Sequence, residues 1–362
     1  MVNPLIAVPA VTGLAYRAWS RKSLTTVGSI VAFATAALHT VHPWLLPFIL
    51  LAVFYFSGSR ATKVKHGIKA QLTLSASGAS GGEGPRTHVQ VLANSLVATV
   101  LSVLHTYYLW NQGRYSKACL AQGADIGDIL VVGIVANYAA VAADTFSSEL
   151  GILSKSKPRL ITSPTLRVVP PGTNGGVTLT GLLAGVLGAF LVSFASTLTL
   201  PFCEDSWSWI HRIQWLVGMT IWGTLGSILD SFLGGFLQAS VTDKRTGKIV
   251  EGSGGRKVLI HPSSAKSSST ATNDAGKYNS SIHATESIAN IATGARVTRS
   301  PAKAQAVISA AGPEQPTRKI ESGHDILDNN AVNLLMAATM SVGAMLVASY
   351  IWEVPLTVDG FL

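Results

Sequence analysis

The sequence IGDILVVGIVANYAAVAADTF occupies residues 126–146 and continues as SSELG to Gly151. It carries very little charge over a length that matches the roughly 20 helical residues needed to cross the hydrocarbon core of a bilayer. The stretch therefore predicts a membrane-spanning helix whose last turns carry polar side chains.

Seven further apolar stretches accompany this one, as the composition leads us to expect. Of 362 residues, 48% are hydrophobic and only 12% are charged, whereas soluble domains carry about 25% charged residues. With so few charges the chain could not cover the surfaces of soluble domains. We therefore predict an all-α protein, a polytopic membrane bundle of about eight transmembrane helices. The other apolar stretches are Leu5–Trp19, Val27–Leu38, Trp44–Phe56, Val89–Trp110, Val177–Leu200, Ile213–Phe236 and Val332–Ile351.

The distribution of basic residues predicts the topology. With eight crossings, 24 of the 27 Lys and Arg fall on one side, and only Arg114, Lys117 and Arg212 fall on the other. The positive-inside rule makes the basic side cytosolic, so the net charge of +9 requires no nucleic acid partner. The second and third stretches could instead form one broken span, but that alternative would place the first two basic loops on opposite sides.

Composition also divides the chain into parts. Residues 1–240 form the membrane domain with helices one to seven, and residues 323–362 supply the last transmembrane helix. Residues 241–322 are rich in Ser, Thr, Ala, Gly and Lys, a composition that cannot bury enough apolar surface to fold. They are predicted to be a long disordered cytosolic loop. Cys119 and Cys203 both fall on the non-cytosolic side, where they could form a disulfide or remain two free thiols.

Ionisable side chains within spanning helices are costly and are therefore functional candidates. Asp144 and Glu149 lie at the cytosolic end of the fifth predicted helix, and Asp230 lies between Gly226 and Gly234 in the seventh. Carboxylates are the ligands that Mg²⁺ prefers, together with substrate oxygens. Glu149 lies five residues beyond Asp144, so it can join that residue only if the helix loosens. The alternative is that these carboxylates make hydrogen bonds or ion pairs between helices.

A glycine-rich turn runs into the sixth predicted helix, and such a turn can bind phosphate through backbone N–H groups. Basic residues in neighbouring loops could add phosphate contacts. The turn consists of Gly172, Thr173, Asn174, Gly175 and Gly176, and the basic candidates are Arg60, Lys63, Arg86 and Arg159. The histidines show no metal pattern, and His39 and His42 fall in a short turn expected at the membrane interface.

Polar side chains also begin the last predicted helix and the fourth. Because they enter the membrane they need partners, and they could complete a polar site at the cytosolic face. These residues are Asn94, Asp328, Asn330 and Asn333.

The motifs resemble those of the transmembrane protein 19 family over nearly the whole chain outside residues 241–322. The matching pieces are SRATKVK from Ser59, EG from Glu83 with Arg86, VQVLAN from Val89, ADT from Ala143, SELG from Ser148, PRLIT from Pro158, GTNGGV from Gly172, GS from Gly226, DS from Asp230, LDNN from Leu327 and VNLL from Val332. The pair Gly84-Pro85 stands where the family has a Gly-Gln-like pair. Phe146 stands where the family usually has Trp.

The resemblance implies a multi-helix membrane protein. One plant branch of this largely uncharacterised family is a phytyl-phosphate kinase, which transfers the γ-phosphate of a nucleotide to an isoprenoid monophosphate. In that interpretation Asp144, Glu149 and Asp230 would be the catalytic residues that hold Mg²⁺. The basic residues and the glycine-rich turn would hold phosphates, the asparagines and Asp328 would complete the polar seat, and an apolar groove between helices would take the prenyl tail.

A second hypothesis is a non-enzymatic membrane protein, either a transporter of a phosphorylated metabolite or a scaffold. The implied partners are the lipid bilayer and, for the enzyme, an isoprenoid phosphate and a nucleoside triphosphate. No transit peptide is evident, so the endoplasmic reticulum is the default location for this multi-pass protein.

Overall fold

Helices account for most of the computed structural model, which describes residues 4–77, 79–81, 84–114, 118–123, 125–258 and 317–356. The helices are α1 (Pro4–Ser20), α2 (Thr26–Val41), α3 (Leu46–Lys63), α4 (His66–Leu72), α5 (His88–Asn111), α6 (Ile126–Gly151), α7 (Leu179–Thr199), α8 (Trp209–Leu237) and α9 (Asn329–Trp352). The strands are β1 (Leu74–Ser75), β2 (Arg159–Leu160), β3 (Gly176–Val177), β4 (Ser240–Asp243), β5 (Ile249–Glu251) and β6 (Arg318–Ser322).

Each of the eight predicted apolar stretches corresponds to one helix, and the second and third form separate helices, α2 and α3. By length and composition, α5, α6, α7, α8 and α9 can cross a membrane, and α2 is a shorter apolar helix. The predicted polytopic helical architecture is confirmed, while the number of eight crossings stays a prediction.

Helix α6 lies at the centre and is buried along its apolar length. Small residues on its neighbours explain the close packing. A Cβ on Gly188 of α7 would lie 2.5 Å from the carbonyl oxygen of Ala142, and one on Gly226 of α8 would lie 2.5 Å from Cβ of Ala140. Because glycine lacks this atom, α7 and α8 approach α6 closely enough to bring polar groups near its end into contact.

A small sheet covers one end of the bundle, with strand order β1-β5-β4-β6. Strands β4 and β6 are antiparallel, as are β4 and β5, while β1 runs parallel to β5. The prediction that residues 241–322 are entirely disordered is therefore wrong for residues 241–258 and 317–322. Val241, Ile249 and Val250 are buried and give the sheet an apolar face, which average composition does not reveal. Residues 259–316 of that predicted loop lie outside the described residues.

The opposite end of the bundle is closed by a disulfide between Cys119 and Cys203. The backbone adds hydrogen bonds from Leu120 N to the carbonyl oxygen of Pro201 and from Cys203 N to that of Leu120. Of the two alternatives left open by the sequence, the paired cysteines are observed. Their end of the bundle is the one predicted to be non-cytosolic, where disulfides persist more readily than in the cytosol.

His39 and His42, predicted to fall in a turn at the membrane interface, are both fully buried within the protein. His39 Nε2 is 2.7 Å from the hydroxyl of Tyr138, and His42 Nε2 is 2.8 Å from His105 Nδ1. The turn between α2 and α3 folds inward against α5 and α6, so these polar rings find partners inside the protein.

Candidate functional site

A polar cavity of about 270 Å³ lies at the end of the bundle that carries the basic loops, which the sequence predicts to be cytosolic. It is formed where α5 and α9 begin, where α6 and α8 end, and where the chain approaches α7. The structure brings many of the predicted site residues to this cavity: Arg86, Asn94, Asp144, Glu149, Gly172, Thr173, Asn174, Gly175, Gly176, Asp230 and Asn333.

Two carboxylates meet in the cavity. The side chains of Asp144 on α6 and Asp230 on α8 are within hydrogen-bonding reach of each other. Asn333 on α9 turns its amide nitrogen toward Asp230 and donates to Asp230 Oδ1 at 3.2 Å. The same nitrogen donates to the carbonyl oxygen of Asn329 at 2.9 Å. Three helices therefore converge on one acidic pair.

Such a pair fits a hard divalent cation. Mg²⁺ in proteins is commonly held by one or two carboxylates with further oxygens from substrate and water. Two adjacent carboxylates repel each other unless a proton or a cation neutralises part of their charge. Ser147 and Ser231 add hydroxyl groups to the same cavity. The atoms that these side chains offer to a cation are therefore oxygens.

Glu149 does not join the aspartates. Five residues along a regular helix place its side chain about 140° around α6 from that of Asp144. It accepts a hydrogen bond from Thr62 Oγ1 at 2.7 Å and pairs with Lys69 Nζ at 2.6 Å, while a guanidinium nitrogen of Arg86 lies 3.8 Å away. Over the part of the chain that the structure describes, no group of three or more Asp, Glu, His or Cys is arranged to hold a metal ion. The predicted set of three carboxylates is therefore not assembled.

Lys69 is a site residue that the sequence analysis missed. Its side chain is buried and donates to the carbonyl oxygens of Ala61 and Thr62, at 3.1 and 2.6 Å, in addition to Glu149. It thereby caps the end of α3 and joins it to α6. Nothing in the local sequence distinguishes this lysine from the other basic residues of its loop.

The glycine-rich turn lines the cavity in a different geometry from the one expected. Gly176 and Val177 form β3, paired with β2, and Thr178 then caps α7 by accepting from Gly181 N. The turn therefore does not lead directly into a helix. Its amides at Thr173, Asn174 and Gly176 already donate within the protein, so these three N–H groups are not free to bind phosphate as expected.

The turn instead packs against the end of α8. Gly175 has a φ of +76°, and a Cβ there would lie 2.7 Å from Cα of Gly235 and 2.8 Å from the carbonyl oxygen of Ser231. Glycine satisfies both the backbone conformation and the close approach. This contact places the turn against Ser231, the residue that follows Asp230 in the sequence.

Several predicted residues lie elsewhere. Arg60 and Arg159 are exposed and outside the cavity, and Arg159 donates to the carbonyl oxygen of Leu166 at 3.2 Å. Asp328 caps α9 by accepting from Ala331 N at 2.9 Å. Asn330 is buried and donates to the carbonyl oxygen of Gly254 at 3.0 Å. Asn329, rather than Asn330, lines the cavity together with Asn333.

A second cavity, which we call the apolar groove, has a volume of about 460 Å³ and lies between α1, α2, α3 and α5. Most of its lining is apolar, and Lys63 lies at its rim. Arg86, Gln90 and Asn94 line both the apolar groove and the polar cavity. The two spaces are therefore neighbours separated by these three side chains.

Comparison with known proteins agrees with a membrane bundle. A family model described as "Integral membrane protein DUF92" matches residues 9–341. Protein PGR of Arabidopsis thaliana is 36% identical over 241 residues, covering 65% of this chain and 80% of that protein. No solved structure matches the chain.

Two further relatives match shorter parts. An uncharacterized membrane protein of Methanocaldococcus jannaschii is 34% identical over 154 residues, 42% of this chain and 52% of the relative. Protein VTE6, chloroplastic, of Arabidopsis thaliana is 31% identical over 158 residues, 42% of each chain. The default location in the endoplasmic reticulum finds no support here, since VTE6 is named as chloroplastic.

Proposed function

The chain belongs to the DUF92 family of integral membrane proteins, which confirms the resemblance to transmembrane protein 19, and from that premise we propose that it is a kinase acting on an isoprenoid monophosphate at the cytosolic face. The observation that carries the proposal is the Asp144–Asp230 pair, which lies in one polar cavity with Arg86 and the glycine-rich turn. The substrate class comes from the family resemblance, since one plant branch of the transmembrane protein 19 family is a phytyl-phosphate kinase.

The reaction requires little of the protein beyond positioning and charge neutralisation. An oxygen of the isoprenoid monophosphate would attack the γ-phosphorus of the nucleoside triphosphate, and the bond from that phosphorus to the β-phosphate oxygen would break. The products are an isoprenoid diphosphate and a nucleoside diphosphate. No catalytic base is needed, because the attacking phosphate oxygen is already ionised.

Each side chain has a defined task in this scheme. Asp144 and Asp230 would hold Mg²⁺, which when bound neutralises charge on the transferring phosphate. Asn333 orients Asp230 through its amide hydrogen bond. Arg86 supplies a fixed positive charge between the polar cavity and the apolar groove, suited to a phosphate oxygen.

The bundle geometry favours this activity over the transport alternative. The polar cavity is lined by one end of the helices, whereas Ile129–Val135 farther along α6 are buried among apolar residues. Polar access from both faces is what a transporter requires. A continuous path of water through the bundle would favour the transporter instead.

The decisive experiment measures transfer from γ-labelled nucleotides to geranylgeranyl phosphate and phytyl phosphate by the purified protein in detergent. We expect Mg²⁺-dependent formation of the diphosphate, and a loss of roughly 100-fold or more in Asp144→Asn and Asp230→Asn. Asp205→Asn, an exposed aspartate outside the polar cavity, is the matched control and should retain activity. Absence of transfer with all four common nucleotides would contradict the proposal.

Binding provides an independent measurement. Magnesium with a nucleotide should raise the melting temperature of the wild-type protein, and Asp230→Asn should abolish that increase. The control Asp205→Asn should respond like the wild type. If magnesium with a nucleotide raised the melting temperature of Asp230→Asn as much as that of the wild type, the aspartate pair would not be part of the nucleotide site.

A further inference from the structure

We propose that the apolar groove binds the hydrocarbon chain of a single-chain amphiphile and that Arg86 receives its phosphate headgroup at the junction with the polar cavity. The assignment of this ligand as the phosphate acceptor rests on the proposed function, whereas its binding can be measured without any reaction.

The lining of the apolar groove suits a hydrocarbon chain. Small side chains keep the space open between helix backbones, and larger apolar side chains close its sides. The small residues are Ala15, Ala18, Ala32, Ala36 and Ala52. Its volume of about 460 Å³ falls in the lower part of the 300–1,000 Å³ typical of ligand pockets, which favours one chain over the two chains of a diacyl lipid.

The rim of the apolar groove carries positive charge. Four basic side chains lie where the loop after α1 meets the end of α3 and the start of α5: Arg21, Lys22, Lys63 and Arg86. Since the interior is apolar and the cationic residues gather at one end, the groove is complementary to a molecule with an apolar chain and an anionic headgroup.

Arg86 is held in place at the junction. Its backbone N donates to the carbonyl oxygen of Ser23, and its own carbonyl oxygen accepts from Thr25 N, each at 3.0 Å. Its guanidinium donates to Thr62 Oγ1 at 3.1 Å and lies 3.8 Å from Glu149. These contacts fix one side of the guanidinium and orient it between the two spaces, where an incoming phosphate would meet it.

The position of Arg86 links the groove to the chemistry of the polar cavity. Gln90 and Asn94 lie one turn apart at the start of α5, just after Arg86, and all three residues line both spaces. A chain in the apolar groove would therefore present its headgroup toward the cavity that contains Asp144 and Asp230. This arrangement gives one substrate two environments, apolar for the chain and polar for the phosphate.

The test measures equilibrium binding of labelled geranylgeranyl phosphate to the full-length protein without nucleotide. Ala32→Trp should lower the affinity at least tenfold by filling the groove. Ala34→Trp, an exposed position on the same helix outside the groove, is the matched control and should bind like the wild type. Equal affinities for the two variants would overturn the proposal.

Arg86→Gln tests the headgroup assignment. It should weaken binding of geranylgeranyl phosphate but leave binding of geranylgeraniol, which lacks the phosphate, unchanged, and Arg86→Lys should restore part of the phosphate preference. Equal weakening of both ligands would contradict the role of Arg86. Competition by phosphatidic acid vesicles as strong as that by geranylgeranyl phosphate would overturn the preference for a single chain.

These outcomes can be separated from failure of the proposed kinase. If the wild type binds geranylgeranyl phosphate and Ala32→Trp does not, the groove is supported even where no nucleotide is consumed. If the wild type transfers phosphate while Ala32→Trp retains full affinity, the kinase stands and the groove assignment fails.

Discussion

The ammonium group of Lys69 lies 2.6 Å from a carboxylate oxygen of Glu149, and this contact joins the corner after α3 to the end of α6. Lys69 also donates to the carbonyl oxygens of Ala61 and Thr62, so one buried cation serves three acceptors. Although Glu149 lines the polar cavity, its carboxylate is thereby engaged by Lys69 rather than by the aspartate pair.

Removing the ammonium group of Lys69 should destabilise the protein. In Lys69→Met the carboxylate of Glu149 loses its nearest partner and two carbonyl groups lose a donor, which costs roughly 3 kcal/mol when a buried pair is broken. Thermal unfolding in detergent measures this, with Lys155→Met, an exposed lysine, as the control. The double variant with Glu149→Gln should recover part of the loss; if it does not, the two residues are not coupled.

Glu149 and Asp230 should differ in their effect on the magnesium requirement. We expect Glu149→Gln to lower the melting temperature but to leave the Mg²⁺ concentration for half-maximal activity nearly unchanged, because its carboxylate faces Lys69 and Thr62. Asp230→Asn should instead abolish activity or raise that concentration strongly. A large increase in the Mg²⁺ requirement of Glu149→Gln would return Glu149 to the proposed metal site.

Gly175→Ala should disturb the glycine-rich turn. A side chain at φ +76° costs about 1–3 kcal/mol, and its Cβ would collide with the backbone of α8 at Gly235 and Ser231. We expect lower stability and lower nucleotide binding. Gly218→Ala on α8 meets no atom within 4 Å and should be neutral or stabilising by up to about 1 kcal/mol. Similar melting temperatures for the two variants would contradict the close approach.

Experiments on the disulfide should report on both the stability of the protein and its orientation in the membrane. Replacing Cys119 and Cys203 by Ala removes a cross-link between positions separated by 84 residues, for which we expect a loss of about 2–4 kcal/mol. In sealed vesicles, a membrane-impermeant reductant should cleave the bond only when the non-cytosolic face is exposed. Cleavage from the cytosolic face would reverse the predicted orientation.

Much of the fold follows from local sequence. The eight apolar stretches correspond to the eight long helices, because apolar length is a property of each segment by itself. The sorting of Lys and Arg placed the polar residues of α6, α8 and α9 at the same end, and the structure brings Asp144, Asp230 and Asn333 together there. The strands β4, β5 and β6 escape the sequence analysis because they lie in a segment of low average hydrophobicity, and because β4 pairs not only with its neighbour β5 but also with β6, which lies far away along the chain.

The sequence by itself determined which segments are helical, which end of the bundle is basic, and which polar residues lie within apolar helices. Only the tertiary structure decided that Asp144 pairs with Asp230, that Glu149 pairs with Lys69 instead, and that Arg86 stands between the polar cavity and the apolar groove. The physical reason is that hydropathy and charge are properties of each segment by itself. The partner of a side chain depends instead on how neighbouring helices are rotated about their axes and how closely they pack. Glycines such as Gly188 and Gly226 set that closeness through contacts between helices.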